Sequence, residues 1–60
     1  MPEKVWVVYS GRPSWHQQRA GHAYSGSMVW HSKAEADEYL ARCKAHRPDE
    51  PAIIIEEIRD

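Results

Sequence analysis

The stretch that decides the fold is residues 32–47, which read SKAEADEYLARCKAHR. Ser32 and Glu35 form a capping box, in which each side chain accepts a hydrogen bond from the other residue's backbone N–H; this pattern marks the start of a helix. The residues that follow place one apolar stripe along that helix: Ala36, Leu40 and Cys43. Pro48 ends the helix, because the residue before a proline is forced out of the helical region. A helix with a single narrow stripe predicts a sheet against which the stripe packs.

Three runs of β-branched and aromatic residues flank this helix and predict that sheet. They cover residues 4–9, 23–31 and 52–58, the last one following a turn at 48–51. A hairpin joins the first two strands, and a right-handed crossover through the helix carries the third strand to the other side of the first. We therefore predict an α+β fold of strand-strand-helix-strand order. Its three-stranded antiparallel sheet has the order 2-1-3, with one helix packed on one face.

The first strand is apolar on both sides, which indicates a central strand. We predict that Val7, Ile53 and Ile55 pack under the helix stripe. A single helix covers one face of a sheet, so the other face is expected to stay uncovered and to bind a partner. By alternation, that uncovered face is expected to hold three apolar binding residues: Trp6, Val8 and Ile54.

Residues 10–22 carry glycines, a proline and no clear periodicity, and we interpret them as a loop. A connection of this length in a small domain is typically functional or disordered. The segment has no acidic residue and is rich in the residue types found at binding hot spots. Its candidate binding residues are Arg12, Trp15, His16, Arg19 and His22. The alternative is that Trp15 folds back over the uncovered face and the arginines are merely solvated.

The length of 60 residues predicts a single small domain, residues 1–60, with a limited core. A chain this short buries only about 60% of the surface that its unfolded form exposes. Cys43 is the single cysteine, so no disulfide forms within the chain, and this favours a reducing compartment. The sequence has no signal-peptide pattern and no apolar run of membrane-spanning length. We expect a cytoplasmic protein that does not enter a membrane.

The sequence carries no catalytic, cofactor or metal signature. The four histidines and Cys43 lack the spacings of a zinc site, and the three glycines are too scattered for a phosphate-binding loop. Glu56 and Glu57 alternate across a strand, so they do not face each other as an acid–base pair would. We therefore expect no enzymatic activity, no cofactor and no bound metal.

The charges are distributed unevenly, although the net charge is −1. Residues 4–33 contain no acid, whereas residues 34–60 contain eight acids and four basic residues. Two functions fit this pattern. One is a protein–protein interaction module that uses the uncovered face and the loop of residues 10–22 with its arginines and Trp15. It binds either a protein partner or a second copy in a homodimer. The alternative is a small nucleic-acid-binding protein that uses the acid-free basic front half, since such affinity comes from neutralised phosphates. The eight acids favour the first.

Residues 28–40, MVWHSKAEADEYL, resemble the strand-to-helix step of short accessory proteins of phages and bacteria. Most of these proteins have no assigned activity. The resemblance covers the second half of the chain. It implies a phage-type modulator, an inhibitor that binds and blocks a host complex.

Overall fold

The chain folds as a three-stranded sheet with one long and one short helix; a computed structural model describes residues 2–60. The elements, in chain order, are β1 (Glu3–Ser10), α1 (Trp15–Arg19), β2 (Gly26–Trp30), α2 (Lys33–His46) and β3 (Ala52–Arg59). The strand order is β2-β1-β3, and β1 is antiparallel to both neighbours. The predicted α+β fold with sheet order 2-1-3 is confirmed.

Helix α2 begins and ends where the sequence predicts. The Ser32 hydroxyl accepts a hydrogen bond from the backbone N–H of Glu35 at 3.5 Å. At the other end, the backbone N–H of Arg47 donates to the carbonyl of Cys43 at 2.9 Å, and Pro48 follows. These two caps fix the helix at the 14 residues from Lys33 to His46.

The segment that we interpreted as a loop contains the short helix α1. The Ser14 hydroxyl accepts from the N–H of Gln17 at 3.2 Å, and the Gln17 amide oxygen accepts from the N–H of Ser14 at 2.8 Å. This is a capping box with both of its hydrogen bonds, and its Ser-x-x-Gln spacing is one that our sequence interpretation missed; at α2 the corresponding bond is the one that Ser32 accepts. The strand that follows is also shorter than predicted, since it starts at Gly26 rather than at residue 23.

Helix α2 covers the face of the sheet opposite to the one predicted. Trp6 pairs directly with Trp30, and the Trp30 ring lies 5.4 Å from the ring of Tyr39 on α2. Directly paired residues in antiparallel strands point to the same side of a sheet. The face beneath the helix therefore holds Trp6, Val8, Trp30 and Ile54.

Of the four buried apolar residues among residues 2–60, Val8 and Ala36 lie between α2 and this face, whereas Val5 and Val7 lie on the other face of β1. Val8 and Ala36 are both 0% exposed, so the small alanine allows the helix to approach the sheet closely. The prediction that Ile53 and Ile55 pack under the helix is wrong, because these two side chains are 37% and 42% exposed. Val7 is buried, but it lies on their face; its neighbours on the flanking strands, rather than the helix, surround it.

The molecule is a thin slab, and its Cα atoms span 38 × 27 × 10 Å. Stacked layers of secondary structure lie about 10 Å apart, so this thickness accommodates one sheet and one helix layer. The second face of the sheet therefore lacks a covering layer. Within residues 2–60, every helix is too short or too polar to cross a membrane.

Candidate binding face

The side of the sheet away from α2, which we call the open face, has an apolar centre. Val7 of β1 lies in the middle, with Val29 of β2 and Ile55 of β3 directly paired on either side. Val29 is 43% exposed and Ile55 42%, whereas Val7 is buried between them. Ile53 adds a third exposed side chain beside Tyr9. The result is a contiguous apolar surface in the centre of a sheet, which is typical of an interaction site.

Charged side chains border the open face where β1 begins. Glu3 and His31 form a pair at 2.7 Å, and Glu57 accepts a hydrogen bond from Arg59 at 3.0 Å. These side chains are well exposed, so water screens the pairs and they contribute little to stability. Their position matters more than their energy, because they give the apolar centre a polar rim at this end.

Aromatic side chains border the open face at its other end. The Tyr24 ring packs against the Tyr9 ring, with 5.9 Å between the two centroids. The segment that carries Tyr24 rises over this end and leaves an open groove of about 410 Å³. The groove is lined by Tyr9, Ser27 and Ile55 from the sheet and by Gln17, His22 and Tyr24 from the connection. Such a groove accepts an apolar or aromatic side chain and offers hydroxyl, amide and imidazole groups at its edge.

Hydrogen bonds, rather than apolar cover, hold the connection between β1 and β2 in place. The backbone N–H of Gly11 donates to the carbonyl of Pro51 at 3.0 Å, and its carbonyl accepts from the N–H of Ser25 at 3.1 Å. The Gln17 side chain donates to the carbonyl of Ser25 at 2.9 Å, which ties α1 to the start of β2. Among the residues described, no Cα atom of α1 lies within 8 Å of a Cα atom of another helix or strand. Helix α1 does not pack on the sheet, and the Gln17–Ser25 hydrogen bond links it to the residue before β2.

Three of the predicted binding residues lie on the covered face, so their expected position is wrong. Val8 is 0% exposed, and Trp6 and Ile54 are half-buried beneath α2. They contribute to the core and do not present a binding surface. The open face exists as predicted, but it includes Val7, Ile53 and Ile55, which we had assigned to the core.

The five predicted residues of the connection are divided among different places. Arg12 donates to the backbone carbonyl of Asp49 at 2.9 Å, so it binds the turn between α2 and β3. Trp15, 67% exposed, is displayed on α1 with His16 and Arg19, and it does not cover the sheet. His22 lines the groove at the end of the open face. The structure thus brings one of the five to the apolar surface and leaves three exposed on α1.

No protein-family model matches this chain, and no curated protein or solved structure matches it.

A second depression lies on the helix side, between the C-terminal half of α2 and the strand ends, with a volume of about 440 Å³. Burial raises the pKa of Tyr39 above its usual value, and the neighbouring Cys43 thiol adds to the shift, so the phenol stays neutral at physiological pH. Arg42 and Arg47 line the same depression, but they pair with Glu38 at 3.2 Å and Glu50 at 3.4 Å. Because its cations have partners on or beside the same helix, this depression is a weaker candidate than the open face.

The sequence interpretation missed the central residues of the candidate site: Tyr9, Tyr24, Val29, Ile53 and Ile55. One sequence signal pointed to them. Ile53 and Ile55 alternate with Ile54, so the third strand has two isoleucines on one face and one on the other. That pattern shows an apolar surface on both sides of the sheet, and a single helix can cover only one of them.

Proposed function

We propose that this protein is a non-enzymatic protein–protein interaction module whose recognition surface is the open face. The observation that carries the proposal is the exposure of Val29, Ile53 and Ile55 in the centre of the sheet. An apolar centre with a polar rim at one end and an aromatic groove at the other is the anatomy of a protein interface. Trp15 on α1 is a further exposed aromatic side chain of the type enriched at binding hot spots.

The surface ion pairs favour binding over catalysis. The closest histidine–carboxylate pair is His31 with Glu3, whose side chains are 68% and 60% exposed. A general acid or base works best in a cleft where water is excluded and the pKa is tuned. This pair lies on the rim of a flat face, so we expect it to contribute polarity to an interface.

The charges give less support to the alternative of nucleic-acid binding. Lys4 pairs with Glu56 at 2.9 Å and Lys33 pairs with Asp37 at 3.5 Å, so acids of the back half already neutralise these cations of the front half. Affinity for nucleic acid depends on cations that are available to phosphates. The uneven charge of the sequence therefore supports internal pairing. A phage-type modulator that blocks a host complex remains a hypothesis within the protein-binding class.

The test compares two exposed isoleucines on the same strand. Ile55 lies on the open face, whereas Ile58 is 71% exposed on the helix side, beyond the covered part. Immobilised parent protein is expected to retain partners from its native host. Ile55→Glu is expected to lose them, because burying an unpaired carboxylate in an apolar interface is strongly unfavourable. Ile58→Glu is expected to behave like the parent.

Equal retention by all three proteins, from a parent protein that is monomeric in solution, would overturn the proposal. Retention on a nucleic-acid column that falls steeply with rising salt, unaffected by Ile55→Glu, would favour the alternative function instead.

A further inference from the structure

The chain exposes more surface than a compact folded monomer of the same mass. The chain exposes 4673 Å² at a mass of 7.0 kDa. A folded monomer of that mass exposes about 4,000 Å² by the usual scaling, so the excess is roughly 600 Å². A standard protein interface buries about 800 Å² on each partner. A slab of 38 × 27 Å has a face large enough for such an interface, and the excess is of the corresponding size.

The missing layer can be supplied by another sheet. Two sheets that pack face to face lie about 10 Å apart and bury their inner side chains, as in a β-sandwich. The open face already has the side chains for this: Val29 and Ile55 flank the buried Val7 in the middle row. A second copy of the open face would cover this row with an equally apolar row, and two-fold pairs are the commonest oligomers.

The charges on the open face indicate how two copies would be oriented. One end carries the carboxylates Glu3 and Glu57, with Arg59 and His31 beside them. The other end is bordered by the connection between β1 and β2, which carries His22 in the groove and no acidic residue. A two-fold axis that runs across the strands places the carboxylate end of one copy over the acid-free connection of the other. An axis along the strands would instead stack the two carboxylate ends on each other, which electrostatic repulsion disfavours.

We propose that the occupant of the open face is a second copy of this chain, in a two-fold dimer whose axis crosses the strands near Val7. This inference rests on the proposed function and names the partner of the same face. In the dimer the middle rows meet, so Ile55 faces Ile55 of the partner, and the exposed isoleucines and valines of both copies form one second core. The helices lie on the two outer surfaces.

The first measurement is the mass in solution by light scattering or sedimentation equilibrium, on the full chain. The parent protein is expected at twice 7.0 kDa, with dissociation on dilution. Ile55→Glu is expected at 7.0 kDa, and circular dichroism should show that its fold is kept. The control Ile58→Glu should stay dimeric, because that residue lies on the helix side. A parent protein that is monomeric at high micromolar concentration would overturn the dimer.

The orientation is tested by cysteine cross-linking in a Cys43→Ser background with a short bismaleimide, since facing Cα atoms of sheets packed about 10 Å apart are too distant for a disulfide. Ile55→Cys alone is expected to form a cross-linked dimer, because the proposed axis places this position opposite itself. Cross-linking that occurs only when Val29→Cys and Ile55→Cys proteins are mixed would overturn the proposed axis. Ile58→Cys serves as the negative control, and efficient cross-linking there would contradict the assigned face.

The failures of the two proposals are distinguishable. A monomeric parent whose host partners are lost on Ile55→Glu rejects the dimer and keeps the open face as a site for a foreign protein. A monomeric parent whose retained partners are indifferent to Ile55→Glu rejects both.

Discussion

Val8→Asp is expected to leave the chain unfolded at neutral pH. Val8 is 0% exposed in the central strand, directly paired with Met28 and Ile54, and helix α2 covers its face. An unpaired carboxylate buried there costs several kcal/mol. A domain of this size has only about 3–9 kcal/mol of stability in total, so the substitution removes most or all of it. Far-ultraviolet circular dichroism and the loss of a cooperative urea transition measure the effect.

The matched control is Ile58→Asp, on the same face but 71% exposed. It is expected to change stability by no more than about 0.5 kcal/mol, because the new carboxylate stays in water. Val8→Ala gives a milder version for a quantitative measurement, with an expected loss of about 2–3 kcal/mol at fixed protein concentration. If Val8→Asp unfolds at the same urea concentration as the parent, Val8 does not lie in the core.

Gly11→Ala is expected to destabilise the fold by about 2–4 kcal/mol, from left-handed backbone strain and a lost hydrogen bond. Gly11 has a φ of +87°, and an added Cβ would overlap the hydroxyl oxygen of Ser25. That hydroxyl donates to the carbonyl of Ser10 at 3.0 Å, so displacing it breaks the link between β1 and the start of β2. Urea denaturation of the variant and the parent measures the difference.

Gly21→Ala separates the two causes. Its φ is +91°, close to that of Gly11, but an added Cβ would meet nothing within 4 Å. It is therefore expected to show the backbone strain alone, about 1–2 kcal/mol. Equal effects of the two substitutions would show that the Ser25 contact contributes nothing.

The sequence predicted the elements and their order because local signals were strong. The Ser32 cap, Pro48 and the β-branched runs each fix a boundary by local sterics or hydrogen bonding, and the crossover rule then leaves few topologies. Helix α1 was missed although its Ser14–Gln17 pattern is equally local, because five residues give no apolar periodicity.

Our prediction of the face that α2 covers was wrong, because that face depends on the strand register. The register cannot be read from the sequence. The register pairs Trp6 with Trp30, and burying two indoles beneath the helix removes more apolar area from water than burying valines. The helix stripe is compatible with either face, since both sides of β1 are apolar. The pair of isoleucines at 53 and 55 therefore indicated the wrong face as the core.

The binding candidates in the connection were predicted from residue type, and their positions depend on long-range bonds. The Arg12 side chain donates a hydrogen bond to the carbonyl of Asp49, 37 residues away, and the Gln17 side chain donates one to the carbonyl of Ser25. No periodicity predicts such pairings. Trp15 stays exposed because α1 does not pack on the sheet. The composition of the segment gives no sign of this.

Helix α2 covers the face that holds Trp30 and leaves the face that holds Ile55 open. Nuclear Overhauser spectroscopy on the labelled protein tests it directly. The rings of Tyr39 and Trp30, whose centroids are 5.4 Å apart, should give strong ring-to-ring cross peaks. The methyl groups of Ile55 should give none to α2 of their own chain. Cross peaks from Tyr39 or Leu40 to Ile55 within one chain, without those to Trp30, would contradict the account.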